Sequence, residues 1–445
     1  MATPCEADLN NALAGGVEQY FQIANFEIHQ DEIFLENSDR YIMLRKSAIA
    51  AFETLGIPSR MSEEWKYTNV AKALKRAWVQ FPLKTEKLTE NDIRSCLIPG
   101  LDAHILVFLN GIRVPFTESD SNHEVVRDFG EFISNSNVSP MDNESDAFDA
   151  LNLAFANDGA IINIPDNSVL DKPLYLLYIS SHDDNLFVQN RNVIDIGKNS
   201  EATIIEARIS LSSNNDFQVF SNNVTEIRCA NNSNLDHYQF QIKGQSTTAS
   251  INKYLVKQEA DSTYTSTNIN LGGQLVRNNV EVVHEGEGCE TNLSGLYHLI
   301  SDQHLDNHTL IDHKMPNCNS NELYIGILDD HSTGVFNGKV LVRKDAQKTN
   351  AFQSNKNILL TDDAKMNAKP QLEIYADDVK CSHGATTGQM NQEALFYLRS
   401  RGISKKLAQT MLMEAFMKEV LDKIKIEELK NFLTNILELR LNISH

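Results

Sequence analysis

A thiol and an imidazole stand two residues apart, at Cys381 and His383, in the segment PQLEIYADDVKCSHGATTGQMNQEALFYLRSRGI. Both side chains can ligate iron or another transition metal. Mixed cysteine and histidine ligation of iron–sulfur centres is established chemistry. Two ligands leave most of a coordination sphere open, so the others must come from elsewhere. The spacing alone fits equally well a turn in which the cysteine packs and the histidine caps. The flanking residues say how such a pair would be held. Leu372, Ile374 and Tyr375 read as an extended apolar segment ending at Asp377 and Asp378, small residues follow, and a helical pattern begins near Asn391. Cys-Ser-His-Gly is therefore expected to form a turn at a strand-to-helix junction.

Other chemistry-bearing groups read more plainly. His298, His304, His308 and His313 alternate with Asp302, Asp306 and Asp312. In a strand, His304 and His308 share a face but lie about 13 Å apart, too far for one ion. A polar ladder or surface row is expected. Asp329-Asp330-His331 and Asp362-Asp363 have the carboxylate pairs that glycoside hydrolysis requires, yet acidic pairs among Asn and Gly usually mark solvated loop tips. No phosphate-cradling G-x-x-x-x-G-K-[ST] loop occurs. Gly338-Lys339 is followed by Val340, and Gly197-Lys198 by Asn199, so ATP hydrolysis by this chain alone is not expected. Gly286-Glu-Gly288 is an incomplete dinucleotide fingerprint. Trp65 and Tyr67 sit among charges and are expected to anchor N-terminal helices on the core.

The chain of 445 residues can bury a large core, in more than one unit. Sixty acidic residues against 40 basic ones give a net charge of −20, which disfavours a nucleic-acid partner. No apolar run reaches the roughly 18 residues a spanning helix needs, and the N-terminus does not read as a secretory signal. Cys5, Cys96, Cys229, Cys289, Cys318 and Cys381 are scattered without a Cys-x-x-Cys, so neither a disulfide framework nor a structural zinc run is expected, and a reducing cytoplasm fits.

The elements that must position these groups divide the chain into an N-terminal helical domain over residues 1–103, a β core over 104–388 with an early surface loop, and a C-terminal helical domain over 389–445. Helical spacing is clear from Tyr41 to Phe52, ending near Gly56 and Pro58. A strand-like burst follows from His104 to Gly111. From about Ala160 to Ile374 short β-branched runs are separated by Asn, Gly and Asp. Asn pairs at 214–215, 222–223, 231–232 and 278–279 read as turn punctuation. Pattern alone leaves sandwich, barrel and solenoid open, and no clean fixed-period repeat emerges. Beyond His383, Ser404 reads as a helix N-cap. Leu412, Phe416, Val420 and Ile424 form one apolar stripe, and Leu429, Phe432, Leu433, Ile436 and Leu437 mark a second helix.

Three stretches carry a family likeness. Residues 304–389, from HLDNHTLIDHKMPNCNSNELYIG to CSHGATTGQ, RMSEEWKYT at 60–68 and AFANDGAIINIPDNSVLDKPLYLLY at 154–178 resemble the SufB/SufD family of iron–sulfur cluster assembly scaffolds. The first 55 or so residues and 119–146 carry little of it. Members of the SufB branch carry a cysteine within the stretch that here reads Gln353 to Asn357, and a glutamate where this chain has Gly384, so the likeness is to the SufD branch. It implies a right-handed parallel β-helix core flanked by N-terminal and C-terminal α-helical domains. It implies a non-enzymatic subunit that pairs with SufB and binds the SufC ATPase, with a cysteine desulfurase and sulfur carrier upstream. His383 matches the family histidine implicated at the SufB interface, with Cys381 beside it as a second ligand for iron or nascent cluster. Arg399, Arg401, Gly402 and Ile403 fall in the region expected to dock SufC. No cofactor is expected to stay bound to the isolated chain, although transient iron or cluster in the complex is compatible. A homodimer in the absence of SufB is also compatible. The alternatives are a β-helix carbohydrate-active enzyme and a purely structural partner of SufB.

Overall fold

The structure, a computed structural model, describes residues 39–74, 79–80, 88–116, 125–127, 129–130, 146–181, 185–211, 219–243 and 248–443. Cys5, most of the 119–146 excursion and the Asn pair at 214–215 lie outside them. The β-branched runs form strands that alternate between two sheets. One sheet takes Ile161–Ile164, Leu186–Ile196, Val219–Cys229, Thr248–Gln258, Leu275–His284, His304–His313, Thr333–Val342 and Lys365–Ile374 in order. The other takes His104–Leu109, Leu174–Ser180, Glu201–Ser210, Asn234–Lys243, Thr263–Asn270, Glu290–Leu299, Asn319–Leu328, Asn350–Leu359 and Lys380–Gln389. Every consecutive pair within these series is parallel. The core is thus a parallel β-solenoid in which each rung stacks on the one before.

One corner shows why the chain turns where it does. Asn167, Asn199, Asn232, Asp261, Asn317 and Lys348 all adopt left-handed backbone, with Gly288 filling the same place in its rung. Their amides bond in series up the stack, for example Asn232 to the Ala260 carbonyl and Asp261 to that of Glu287. Asn and Asp tolerate this geometry better than most residues. Rung length varies, however. Hydrogen bonds between stacked side chains span 33, 29 and 26 residues, so no fixed period is visible in the sequence.

Two of the Asn pairs do not punctuate turns. Asn222-Asn223 and Asn278-Asn279 lie inside strands. Asn223 donates to Asn252, Asn252 to Asn278 and Asn278 to Asn307, each at 2.9 Å. Parallel in-register stacking lets one amide's N–H₂ meet the next amide's oxygen, satisfying groups that burial would otherwise penalise. Asn231-Asn232 does lie at a turn.

Helices flank the solenoid. Asp39–Leu55 packs on Ala147–Phe155, with Tyr41 Oη donating to the Ala156 carbonyl at 2.7 Å and Arg45 donating to that of Ala154 at 2.9 Å. Phe148, Leu151 and Phe155 in turn cover Phe187 and Phe220 of the first sheet. At the other end of the chain, Asn391 caps Gln392–Ser400 and Ser404 caps Lys405–Leu421. Lys405–Leu421 and Glu427–Ile443 lie along the second sheet, where Val420, Leu429, Leu433 and Leu437 are buried against Tyr238, Phe240, Leu296 and Ile325. Among the described residues, no helix is long and apolar enough to cross a membrane.

The two ends of the solenoid are finished differently. At the N-terminal end each sheet closes with a short antiparallel strand, Ile112–Val114 in one and Val126–Arg127 in the other. At the C-terminal end each sheet stops at a strand of 10 residues, Lys365–Ile374 or Lys380–Gln389, that is paired on one side only among the described residues.

Candidate functional site

Cys381 and His383 lie on that last rung. The expectation of a Cys-Ser-His-Gly turn is corrected here, because the whole of Lys380–Gln389 is strand. The register with Asn350–Leu359 supplies enough backbone bonds to extend a segment whose small residues alone favour turning. Cys381 pairs with Ala351 and His383 with Gln353, so both stand in columns that point into the solenoid in the rungs beneath. Nothing stacks above them among the described residues, and the columns open outward. His383 is exposed and Cys381 half-buried against Val342, Ala346 and Ala351. Burial pushes the Cys381 thiol up, with a backbone hydrogen bond from Ala351 opposing. A side chain placed at Gly384 or Gly388 would meet open space. The site is therefore an exposed polar rim bearing a thiol and an imidazole, bordered by strand edges unpaired among the described residues and by exposed Phe352, Ile374 and Tyr375.

Beneath His383 the column continues inward. Gln353 donates from Nε2 to Glu322 at 2.6 Å. Burial pushes the Glu322 carboxyl up to about 7, the Gln353 amide only partly offsetting it. No sequence motif singled out this acid, which lacks a charged neighbour in the sequence and is placed inside by register alone.

Residues 178–416 match the family described as SUF system FeS cluster assembly, SufBD core domain, and residues 17–176 match the SufBD protein N-terminal region. The chain belongs to the SufBD family. It is 30% identical to an iron–sulfur cluster assembly SufBD family protein of Synechocystis over 98% of this chain and 99% of that protein. It is 31% identical to the iron–sulfur cluster assembly protein SufD of Escherichia coli, over 84% of this chain and 87% of that one. A chloroplastic protein of Arabidopsis thaliana, ABCI7, is 30% identical over 87% and 83%. This chain is thus a SufBD-family iron–sulfur cluster assembly protein whose homologues include SufD.

Two SufBD-family stretches quoted separately above prove to be one structural unit. The EEWKYT segment docks on the histidine-bearing strand His304–His313. Thr68 Oγ1 reaches His304 Nε2 at 2.8 Å and donates to Asp306, and His308 bridges Asp306 at 2.9 Å and Glu64 at 3.3 Å. Arg277 lies 3.8 Å over the Trp65 ring, donates to the Glu64 carbonyl at 2.7 Å and pairs with Asp306 at 2.8 Å. Trp65, 8% exposed, is the expected anchor, whereas Tyr67 is 38% exposed. Burial would discharge His308, but Asp306 and Glu64 raise its pKa overall. His304 is lowered, chiefly by burial. These two histidines form a clamp rather than a surface row.

The other histidines are interior. His298 and His313 are fully buried, and His313 faces His284 and Cys318, neither of which the histidine-rich reading included. Of the acidic pairs, Asp330 accepts from the Ser301 amide at 2.8 Å, and Asp363 lies 3.6 Å from His331 at exposed turns. Asp329 is buried, contrary to the solvated loop tip expected, because it follows directly on the buried strand end at Leu328.

Arg399 closes the helix Gln392–Ser400, and Arg401 and Gly402 form the exposed turn that follows, with Gly402 left-handed and Ile403 half-buried. Arg401 lies 5.3 Å from the Tyr397 ring centre. Phe396 at 74% exposure and Tyr397 at 57% stand on the helix before this turn, and Leu407 at 54% on the helix after it.

Proposed function

We propose that this chain is the SufD-type subunit of a SufB–SufC–SufD assembly. It docks a SufB solenoid through its C-terminal rung and offers His383, with Cys381 beside it, to iron or nascent cluster held between the two subunits. The observation that carries this reading is the contrast between the ends: short antiparallel closures at one, and at the other two long edges unpaired among the described residues, one of them bearing metal-capable side chains. Unpaired edges pair readily with a further strand. Iron and cluster are cargo here, and the chain performs no turnover of its own. The exposed apolar residues Phe396, Tyr397 and Leu407, with Arg399, Arg401, Gly402 and Ile403, receive SufC, whose ATP-driven movement is passed to the SufB junction. A cytoplasmic setting and sulfur supply through a cysteine desulfurase and carrier belong to the same reading.

Co-expression of the tagged chain with SufB and SufC, followed by affinity capture and mass determination, tests it. The expected result is a complex containing all three. His383→Ala should keep the complex and lower its cluster content, and Tyr397→Asp should lose SufC. A well-folded chain that captures neither partner overturns the assembly, and undiminished cluster in His383→Ala removes that residue from cluster handling.

A further inference from the structure

Two successive rungs carry a histidine and a cysteine at the same corner, and no other pair of rungs described does. His284 is in register with Gln258 below and His313 above, and His313 with Val342. Cys289 and Cys318 each follow the left-handed corner residue, a place filled by Ser200, Ser233, Ser262 and Thr349 in the neighbouring rungs. Imidazole and thiol thus replace ordinary core or hydroxyl residues together, in the same two rungs.

Three of the side chains converge, and Cys289 lies beside Cys318. His284 Nδ1 and His313 Nδ1 lie 3.1 Å apart. One ligand atom from each of His284, His313 and Cys318 falls within 4.8 Å of the others. Cys289 and Cys318 are both free thiols, and their sulfurs share the Gly286 carbonyl at 3.1 and 3.5 Å. The outer ring nitrogens are already engaged: His284 Nε2 meets Thr291 Oγ1 at 2.7 Å, and His313 Nε2 meets Ser320 Oγ at 2.9 Å. That fixes both rings with Nδ1 inward, as hydroxyl or carboxylate partners fix metal-bound histidines. Two imidazole nitrogens on one tetrahedral ion with bonds near 2.05 Å sit about 3.3 Å apart, close to the spacing seen. All four residues are buried.

We propose that His284, His313, Cys289 and Cys318 form a structural site for a divalent ion of the zinc class. Two nitrogen and two sulfur ligands from protein alone make a closed tetrahedral set, the donor chemistry that selects zinc(II) among common divalent ions. The turns at 285–288 and 314–317 lie directly over the site and are largely exposed, so an ion has one layer of chain to pass. The site ties two rungs together a short way beneath the terminal one: the column Thr291–Ser320–Ala351 ends at Cys381. It is independent of any partner protein.

The full-length chain, reduced and stripped with a chelator, is titrated with cobalt(II) and then zinc(II). The expected result is one ion per chain, with the visible bands of tetrahedral cobalt and thiolate-to-cobalt charge transfer, displaced by zinc. Cys318→Ser and His313→Ala should each weaken binding about a hundredfold, Thr291→Val about tenfold through loss of ring orientation, and Cys96→Ser not at all. Absence of the tetrahedral thiolate spectrum in the unmutated chain overturns the site, and so does a spectrum unchanged in folded Cys318→Ser. If the ligand variants do not fold, alkylation of the native unmutated chain decides: zinc must protect Cys289 and Cys318, and equal labelling with and without zinc refutes the proposal.

Discussion

Replacing Glu322 with glutamine should change how stability depends on pH. The Glu322 carboxyl moves from an ordinary 4.5 to about 7 on folding because it is buried. The folded state therefore keeps its proton over a window in which the unfolded state gives it up. A raised pKa contributes stability that is full below 4.5 and lost as pH climbs through about 7. At about 1.4 kcal/mol per pH unit, the loss comes to about 3 kcal/mol. Glutamine accepts from Gln353 in the same way and has nothing to ionise. For a chain of 445 residues, an unfolding entropy near 2.1 cal/mol/K per residue turns about 3 kcal/mol into about 3 °C of Tm. Glu322→Gln and the unmutated chain are melted side by side from pH 4.5 to pH 8, by calorimetry or dye fluorescence. The two Tm curves should diverge as pH rises, with the variant gaining about 3 °C relative to the parent. Parallel curves across the range would refute the reasoning, since they would mean that Glu322 ionises in the folded chain as easily as in water.

Three further outcomes follow from the packing. Gly326→Ala should destabilise by about 1–3 kcal/mol, because its new methyl would stand 2.1 Å from the Tyr297 ring, and Tyr297→Leu should restore part of the melting temperature. Asn252→Ala breaks the amide ladder in both directions. Leaving two buried partners unpaired should cost about 2–4 kcal/mol by calorimetry. The clamp on the EEWKYT segment should loosen as pH rises from 6 to 8. His308 has a raised pKa, so its contribution is present below its ordinary value and lost as pH passes the folded one. Limited proteolysis near residue 60 should accelerate over that range in the parent and show no such pH step in His308→Gln.

Much of the frame could be read from residues. Asn391 and Ser404 begin helices where they were expected, because an N-cap is a local interaction between one side chain and the next turn's amides. The Tyr41–Phe52 helix and the anchoring Trp65 were visible for similar reasons. The solenoid itself came from family resemblance. Its rungs vary in length, and the same residue, Asn, serves both as left-handed corner at Asn232 and as buried ladder at Asn252. Cys381 and His383 were visible as a pair but were misread as a turn, since a strand's bonds come from residues 30 positions earlier in the chain. His284, Cys289 and Glu322 could not be singled out for the same reason: what makes them notable is the neighbour one rung away.

A stack in which each rung bonds only to its neighbours behaves as a nearly one-dimensional lattice. Its two ends then have unequal standing. Among the described residues the rung of Lys365–Ile374 and Lys380–Gln389 has one neighbour instead of two, so it should open first, and its amides should exchange with solvent ahead of those in Thr333–Val342 and Asn350–Leu359. Any chain that seats on that edge supplies the missing neighbour and converts a terminal layer into an interior one. The ordering of the last strand, and with it the positions of Cys381 and His383, thereby becomes a property of the assembled pair of molecules. An edge left without such a neighbour remains a nucleus on which another copy of the same chain can add.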